Sequence, residues 1–383
     1  MQHNIPRPRI TRQILRCLKE SPVTALLGTR QTGKTTLARM VSGKRRDVHY
    51  FDLERAGARK ALSTPELTLE GLRGWVVIDE IQRLPSLFEV LRPLSDRPDT
   101  PARFLILGSA SPDLVRGVSE TLAGRVMFVK VPGLTIDELH RDQQNRLWLR
   151  GGFPRAYLAP DDSAAWRWME GFATTFLERD IPQLGIRVPA EALRRFWLMT
   201  AHYHGQIWNS AELARSMDVT ANTIRHYLDI LNGAYVLRVL QPWNENLKKR
   251  QVKSAKVYVR DSGLLHFLLG IDSMPALRSH PRYGASWEGF ALEQTLAIKG
   301  DRDAYFWGTL RGAELDLLLL RRGRRYGFEF KCTDAPSMTR SMHAALEDLR
   351  LERLYVIYPG RERYTLHARV EALPFSDMPG LEI

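Results

Sequence analysis

The sequence predicts an α/β protein of several domains, opening with a parallel sheet clad in helices. Three observations lead there. The 383 residues exceed what one hydrophobic core usually organises. Through the first third, short apolar runs alternate with helical segments, the pattern of a sheet buried on both faces. The first of those runs passes through a glycine-bounded loop straight into a helical segment, Gly28-Thr-Arg-Gln-Thr-Gly33-Lys34-Thr35.

A composition 44% hydrophobic and 26% charged leaves ample apolar surface for cores and excludes wholesale disorder. The net charge of +13 attracts polyanions, which makes nucleic acid, DNA first, the expected partner; the alternative is a basic protein with no such partner. Cys17 and Cys332 are too few for a disulfide framework or a zinc site, so a reducing cytoplasm fits. Residues 1–20 carry Arg7, Arg9, Arg12 and Arg16 and lack the apolar core of a signal peptide. No uncharged stretch approaches bilayer-spanning length, and no membrane partner is expected.

The periodicity predicts a helix over 10–18, then strands at 23–27, 48–53, 75–78, 104–107 and 126–129, with a helix following the glycine loop. From 135 to about 204 the pattern is helical, broken by the Gly151-Gly-Phe-Pro154 turn. Two short amphipathic helices at 211–217 and 222–231, joined by Asp218-Val-Thr220, suggest helix-turn-helix. The last third mixes strands at 257–259, 315–320, 326–331 and 354–358 with helices at 286–298 and 341–349, a second α/β region.

The loop carries specific chemistry. In a phosphate-binding loop the glycines let backbone N–H groups turn inward around phosphate oxygens, while the following helix points its positive end at the anion. Gly28 and Gly33 fill those positions, with Thr29, Arg30, Gln31, Thr32 and Thr36 completing the cradle. Lys34 is placed to neutralise the β- and γ-phosphates of ATP, and the Thr35 hydroxyl to ligate Mg²⁺. Trp75-Val-Val-Ile-Asp79-Glu80 ends an apolar strand in two carboxylates. Asp79 would hold Mg²⁺ and Glu80 would orient and deprotonate the attacking water.

Together, Gly28 to Thr36, Ile78-Asp-Glu-Ile-Gln82, and Leu107-Gly-Ser-Ala-Ser111 with Leu122-Ala-Gly-Arg125 resemble prokaryotic AAA-superfamily ATPases. The Gly151-to-Pro154 turn, Glu178-Arg-Asp180 and Asp261-Ser-Gly-Leu264 extend the resemblance over nearly the whole chain. It implies a P-loop AAA-type domain over 1–133, a helical lid over 134–204, a winged helix-turn-helix over 205–254, and a carboxyl-terminal domain of unknown function with a restriction-endonuclease-like core over 255–383. It also implies that Ser109 senses the γ-phosphate and that Arg125 is an arginine finger reaching a neighbouring subunit's site, which would require a homo-oligomer. Thr29 stands where that family more often has proline.

In the helix-turn-helix, Leu213, Ala214, Met217, Ile224, Tyr227, Leu228 and Leu231 fall on one side, which turns Asn222, Thr223, Arg225 and His226 outward. A DNA-reading module would bring those four to base edges and phosphates. Lys248, Lys249, Arg250 and Lys253 would then form a basic wing on the backbone, or else a solvated run on an interdomain scaffold.

In the last third, period-two alternation puts Glu329 and Lys331 on one strand face, downstream of Asp316. Two carboxylates can hold a second Mg²⁺ near a scissile phosphate, with Lys331 beside the nucleophile and Glu288 as a further ligand or orienting acid. The Glu, Asp, Glu-x-Lys order resembles the restriction-endonuclease-like (PD-(D/E)xK) superfamily, except that Leu315 replaces the usual proline. Active nuclease and inactive relic stay open. Three functions follow: an ATPase coupling nucleotide state to DNA binding, a Mg²⁺-dependent endonuclease regulated by ATP, or a nucleotide-gated protein-binding adaptor.

Overall fold

The computed structural model describes residues 5–43, 45–98, 102–109, 112–245 and 250–383, with the backbone alone at 112–116. Two compact units result: Met1–Gly133 with Gln183–Ile186 and Gly233–Tyr235, and Leu134–Pro182 with Arg187–Asn232 and Val236–Ile383.

The first unit is built on five parallel strands, β1 (Val23–Gly28), β2 (Val48–Asp52), β3 (Gly74–Asp79), β4 (Ala102–Ser109) and β5 (Val126–Lys130), in the order β2-β3-β4-β1-β5. Alternate residues feed opposite faces. Val23, Ala25, Leu27, Val76, Ile78, Phe104 and Ile106 pack with Leu87 and Leu91 from the helix Leu87–Ser95. Leu26, Val77, Leu105, Leu107 and Val129 pack with Ile10, Ile14 and Leu18 of Pro8–Glu20 and with Leu37, Ala38 and Val41 of Lys34–Ser42. Each Val, Leu, Ile or Phe side chain among these stabilises the fold by about 1.5–3 kcal/mol on burial. All five strand expectations are met, and the sheet is clad on both faces.

The second unit begins with helices, among them Gln144–Arg150, Asp162–Thr175 and Ala190–His202, with a more widely wound π turn at Phe176–Asp180. Two segments quoted from the sequence turn out to be one joint. Asp261 accepts from Gly152 N at 2.7 Å through Oδ2 and from Leu264 N at 2.9 Å through Oδ1, capping the helix Ser262–Leu269. A Cβ on Gly151 would stand 2.1 Å from Asp261 Oδ1, so only glycine lets the turn approach.

Next come β6 (Gln206–Ile207), helices Ser210–Met217 and Ala221–Gly233, β7 (Leu237–Leu240) and β8 (Lys256–Val259), whose strands form an antiparallel sheet ordered β6-β8-β7. The strand expected at 257–259 therefore joins this small sheet and not the carboxyl-terminal one. Asp218, at φ 56°, makes the turn between the two helices.

The last sheet holds β9 (Ala304–Gly308), β10 (Glu314–Arg321), β11 (Arg324–Phe330), β12 (Arg353–Tyr358), β13 (Tyr364–His367) and β14 (Val370–Pro374), ordered β13-β14-β12-β11-β10-β9. A hairpin joins β10 to β11, and Arg322 and Gly323 both adopt the positive φ that a two-residue turn demands. β9, β13 and β14 were not expected: β13 has four residues with half its positions exposed, and β14 ends in proline.

Candidate nucleotide site and acid cluster

β1 delivers the chain to the loop. A Cβ on Gly28 would meet the Val131 carbonyl at 2.3 Å, so this glycine serves close approach, whereas Gln31 (φ 67°) and Gly33 (φ 90°) supply the left-handed turns. Lys34 Nζ donates to the Gly28 and Thr29 carbonyls at 3.0 and 2.9 Å, and Thr32 Oγ1 to the Thr29 carbonyl at 3.0 Å. Thr35 is half-buried and Thr36 exposed in the first turn of Lys34–Ser42. Thr29 Oγ1 donates to the Tyr235 carbonyl at 3.0 Å, and Arg30 pairs with Glu54 at 3.0 Å.

Asp79 closes β3 and is buried. Its Oδ2 accepts from Tyr50 Oη at 2.7 Å and its Oδ1 from Glu80 N at 3.1 Å. Glu80 holds φ 56°, an uncommon conformation for a side chain of its size and one that clusters at functional sites. Burial pushes its carboxyl above the usual range, while Lys34 and Arg30 pull it down, and Gln82 Nε2 donates to it. Ser109 is in register with Gly28 across β4 and β1. Its Oγ is shielded from solvent and has no hydrogen-bond partner among the described residues.

Arg125 lies at the other edge. It precedes β5, whose Val126 pairs with Val23 at the start of β1, about five strand residues or 17 Å from the loop. Its guanidinium forks onto Asp96 at 2.6 and 2.8 Å. The residue therefore cannot serve its own loop.

Asn222, Arg225 and His226 are exposed and Thr223 half-buried on the helix Ala221–Gly233, with Arg225 donating to Asn222 Oδ1 at 3.1 Å. Lys248 and Lys249 lie outside the described residues. Arg250 and Lys253 are exposed, but the backbone between them is bonded to the carboxyl-terminal sheet region: Leu310 N donates to the Arg250 carbonyl at 3.0 Å and Val252 N to that of Gly308 at 2.9 Å.

The carboxyl-terminal residues converge. Asp316 lies where the β9–β10 register shifts, and its Oδ2 accepts from Phe330 N at 2.9 Å. Lys331 Nζ is 2.7 Å from Glu329 Oε2 and 3.9 Å from Asp316 Oδ2. Burial and Glu288 push the Asp316 carboxyl up; burial and Asp316 push that of Glu329 up. Lys256, from β8, enters the same cluster at 3.3 Å from Glu288 Oε1. Burial opposes its charge, but Tyr258, Glu288, Asp316 and Glu314 outweigh it and hold the pKa well above the usual lysine value.

Sequence reasoning missed Tyr50, Lys256 and Arg7. The buried Arg7 donates to the Thr32, Pro132 and Gly133 carbonyls at 3.4, 3.2 and 2.7 Å and so backs the phosphate loop. Only Tyr50 left a signal, two residues before Asp52, the register partner of Asp79.

Three family models match parts of the chain. Residues 20–140 match an AAA domain, residues 141–274 a domain of unknown function (DUF8612), and residues 283–378 another (DUF4143). The fold is similar to the Walker-type ATPase PABY2304 of Pyrococcus abyssi, with a TM-score of 0.48 and 16% identity, covering 70% of this chain and 96% of that one. A RuvB structure from Thermotoga maritima scores 0.31 with 21% identity, covering 61% and 89%. The uncharacterised proteins Rv2008c of Mycobacterium tuberculosis and Mb2031c of Mycobacterium bovis are each 53% identical over 372 residues, 97% of this chain and 84% of theirs. With an AAA-type P-loop domain at its amino-terminal end, the chain belongs to the family of these two mycobacterial proteins.

Proposed function

We propose that the chain is a Mg²⁺-dependent ATPase whose nucleotide state governs contact with DNA. One observation carries the reading: Lys34 closes a loop turned by Gln31 and Gly33, and Glu80, which feels its charge, stands strained at the end of β3 beside Asp79. The residues suit the ligand. The orphaned Ser109 Oγ is in register with Gly28, as a γ-phosphate sensor would be. Thr35 and Asp79 would hold Mg²⁺, which neutralises charge on the β- and γ-phosphates. Lys34 grips those phosphates, and Glu80 takes the proton of the attacking water, a role that its raised pKa favours. Arg125 would act in a neighbouring subunit.

The order helix, β6, two helices, β7, β8 supports a winged helix-turn-helix, with Asn222, Thr223, Arg225 and His226 toward DNA and Arg250 and Lys253 on the phosphate backbone. ATP binding would order the loop and the helices of 134–204, and hydrolysis would release them. Two substitutions test the core of the proposal. Lys34→Ala abolishes ATP binding in equilibrium dialysis, whereas Glu80→Gln binds ATP but turns it over about 10²–10⁴-fold more slowly. Normal turnover by Glu80→Gln removes its assignment as base. DNA stimulation of the ATPase, together with ATP-dependent assembly in solution, tests the DNA and oligomer parts.

A second reading, a nuclease-like metal site in the carboxyl-terminal sheet, is favoured by the convergence of Glu288, Asp316, Glu329 and Lys331. Plasmid cleavage with Mg²⁺ that Asp316→Ala abolishes would support it.

A further inference from the structure

Lys256 belongs to β8, yet its ammonium group ends among acids from other elements. It lies 3.3 Å from Glu288 Oε1 on the helix Tyr283–Lys299, forms an ion pair with Glu314 at the start of β10, and lies 3.9 Å from Asp316 Oδ1. The residue is 2% exposed, and the ammonium stands 5.6 Å from the centre of the Phe306 ring. Two positions along, on the same strand face, Tyr258 Oη donates to Glu288 Oε1 at 2.7 Å. β8 therefore brings a cation and a hydroxyl donor to the acids on which a nuclease reading depends.

A second observation says that the cluster is unfinished. Glu329 is 3% exposed, and while its Oε2 meets Lys331, its Oε1 is shielded with no hydrogen-bond partner among the described residues. Buried carboxylate oxygens without partners are costly, and they occur where a ligand completes the site. Among the described residues, however, no group of three or more His, Cys, Asp or Glu is arranged to hold a metal. The acids are arranged around ammonium groups instead. An ammonium tethered to β8 needs no diffusing partner, and it repels a divalent ion strongly at this range in a poorly solvated place.

We propose that Lys256 is a tethered cation that closes the Glu288, Asp316 and Glu329 cluster to divalent metal for as long as β8 keeps its pairing with β6 and β7. This rests on the reading of those acids as a nuclease-like metal site. It goes further in making the metal site conditional on one residue from the neighbouring sheet.

Mn²⁺ titration of the nucleotide-free full chain, with free ion counted by electron paramagnetic resonance, tests it. Lys256→Met keeps the alkyl stem and should bind one Mn²⁺ at least about tenfold more tightly than the unaltered protein. Adding Asp316→Asn should abolish the gain. Equal affinity with and without Lys256 overturns the blocking role but leaves the acids as a metal site. A folded Lys256→Met protein that, like the unaltered one, binds no Mn²⁺ at all overturns both. Glu314→Gln supplies an independent sign, since Glu314 is 40% exposed and tolerates change. Loosening the ammonium should raise Mn²⁺ affinity, whereas a fall makes Glu314 a ligand and overturns the proposal.

Discussion

The phosphate loop and the carboxyl-terminal acid cluster each hold a buried lysine, one bonded within its own loop and one paired with acids of other elements. Lys34 donates to two backbone carbonyls of its own loop, and its charge also lowers the pKa of Glu80 at the end of β3. Lys256 stands among Glu288, Glu314 and Asp316, which cancel it. The first arrangement ties the ammonium group to its own loop; the second joins β8 to the helix Tyr283–Lys299. A lysine held by its own loop belongs to a local motif, whereas one held by acids from other elements joins parts of the fold.

Arg238 of β7 offers the strongest way to break that contrast, because it belongs to the joining kind. Its guanidinium forks onto Glu293 of the same helix, with Nη2 3.0 Å from Oε2, and reaches Asp301 at 3.4 Å. Side-chain exposures of 11% and 12% for Arg238 and Glu293 leave little water to replace either partner. Arg238→Met strands the Glu293 carboxylate and should lower unfolding free energy by about 3–5 kcal/mol, read from guanidinium melts. A loss below about 1 kcal/mol would place this pair with ordinary surface bridges and dissolve the distinction.

The same contrast explains what the sequence made legible. The loop and its acids occupy contiguous stretches, 28–36 and 79–80, at the ends of apolar strands, so pattern and motif coincide. The outward faces of Asn222, Arg225 and His226 follow from helical periodicity alone. Asp316, Glu329 and Lys331 were readable because two neighbouring strands of one hairpin carry them. Lys256 was not, because its meaning comes from a strand of a different sheet, and no local spacing encodes that approach. The segment after Lys249 read as a basic wing or as a solvated run on an interdomain scaffold; hydrogen bonds from Leu310 N to the Arg250 carbonyl and from Val252 N to the Gly308 carbonyl, which no local spacing encodes, tie its backbone to β9 and the loop that follows. Arg7 supports the phosphate loop from 21 residues before Gly28, a relation set by where the first helix packs.

Tyr50 gives the smallest expected effect and the sharpest test of how the loop's acids are held. Its hydroxyl donates to Asp79 Oδ2 at 2.7 Å, and the Arg39 guanidinium lies 5.5 Å from its ring centre. Burial, with Asp79 adding to it, pushes the hydroxyl's pKa well up, so it remains a donor at any working pH. Since Glu80 N fixes the other oxygen, removing the hydroxyl frees one half of the carboxylate while Asp79 itself stays. A hydrogen bond to a charged acceptor is worth about 1.5–3 kcal/mol, of which the turnover step should feel about half, near tenfold in kcat. Tyr50→Phe should also raise the Mg²⁺ concentration needed for half-maximal ATPase activity, a readout that a merely packing role would leave untouched. Unchanged kcat and unchanged Mg²⁺ dependence in a folded Tyr50→Phe protein would mean that the strand end alone positions Asp79.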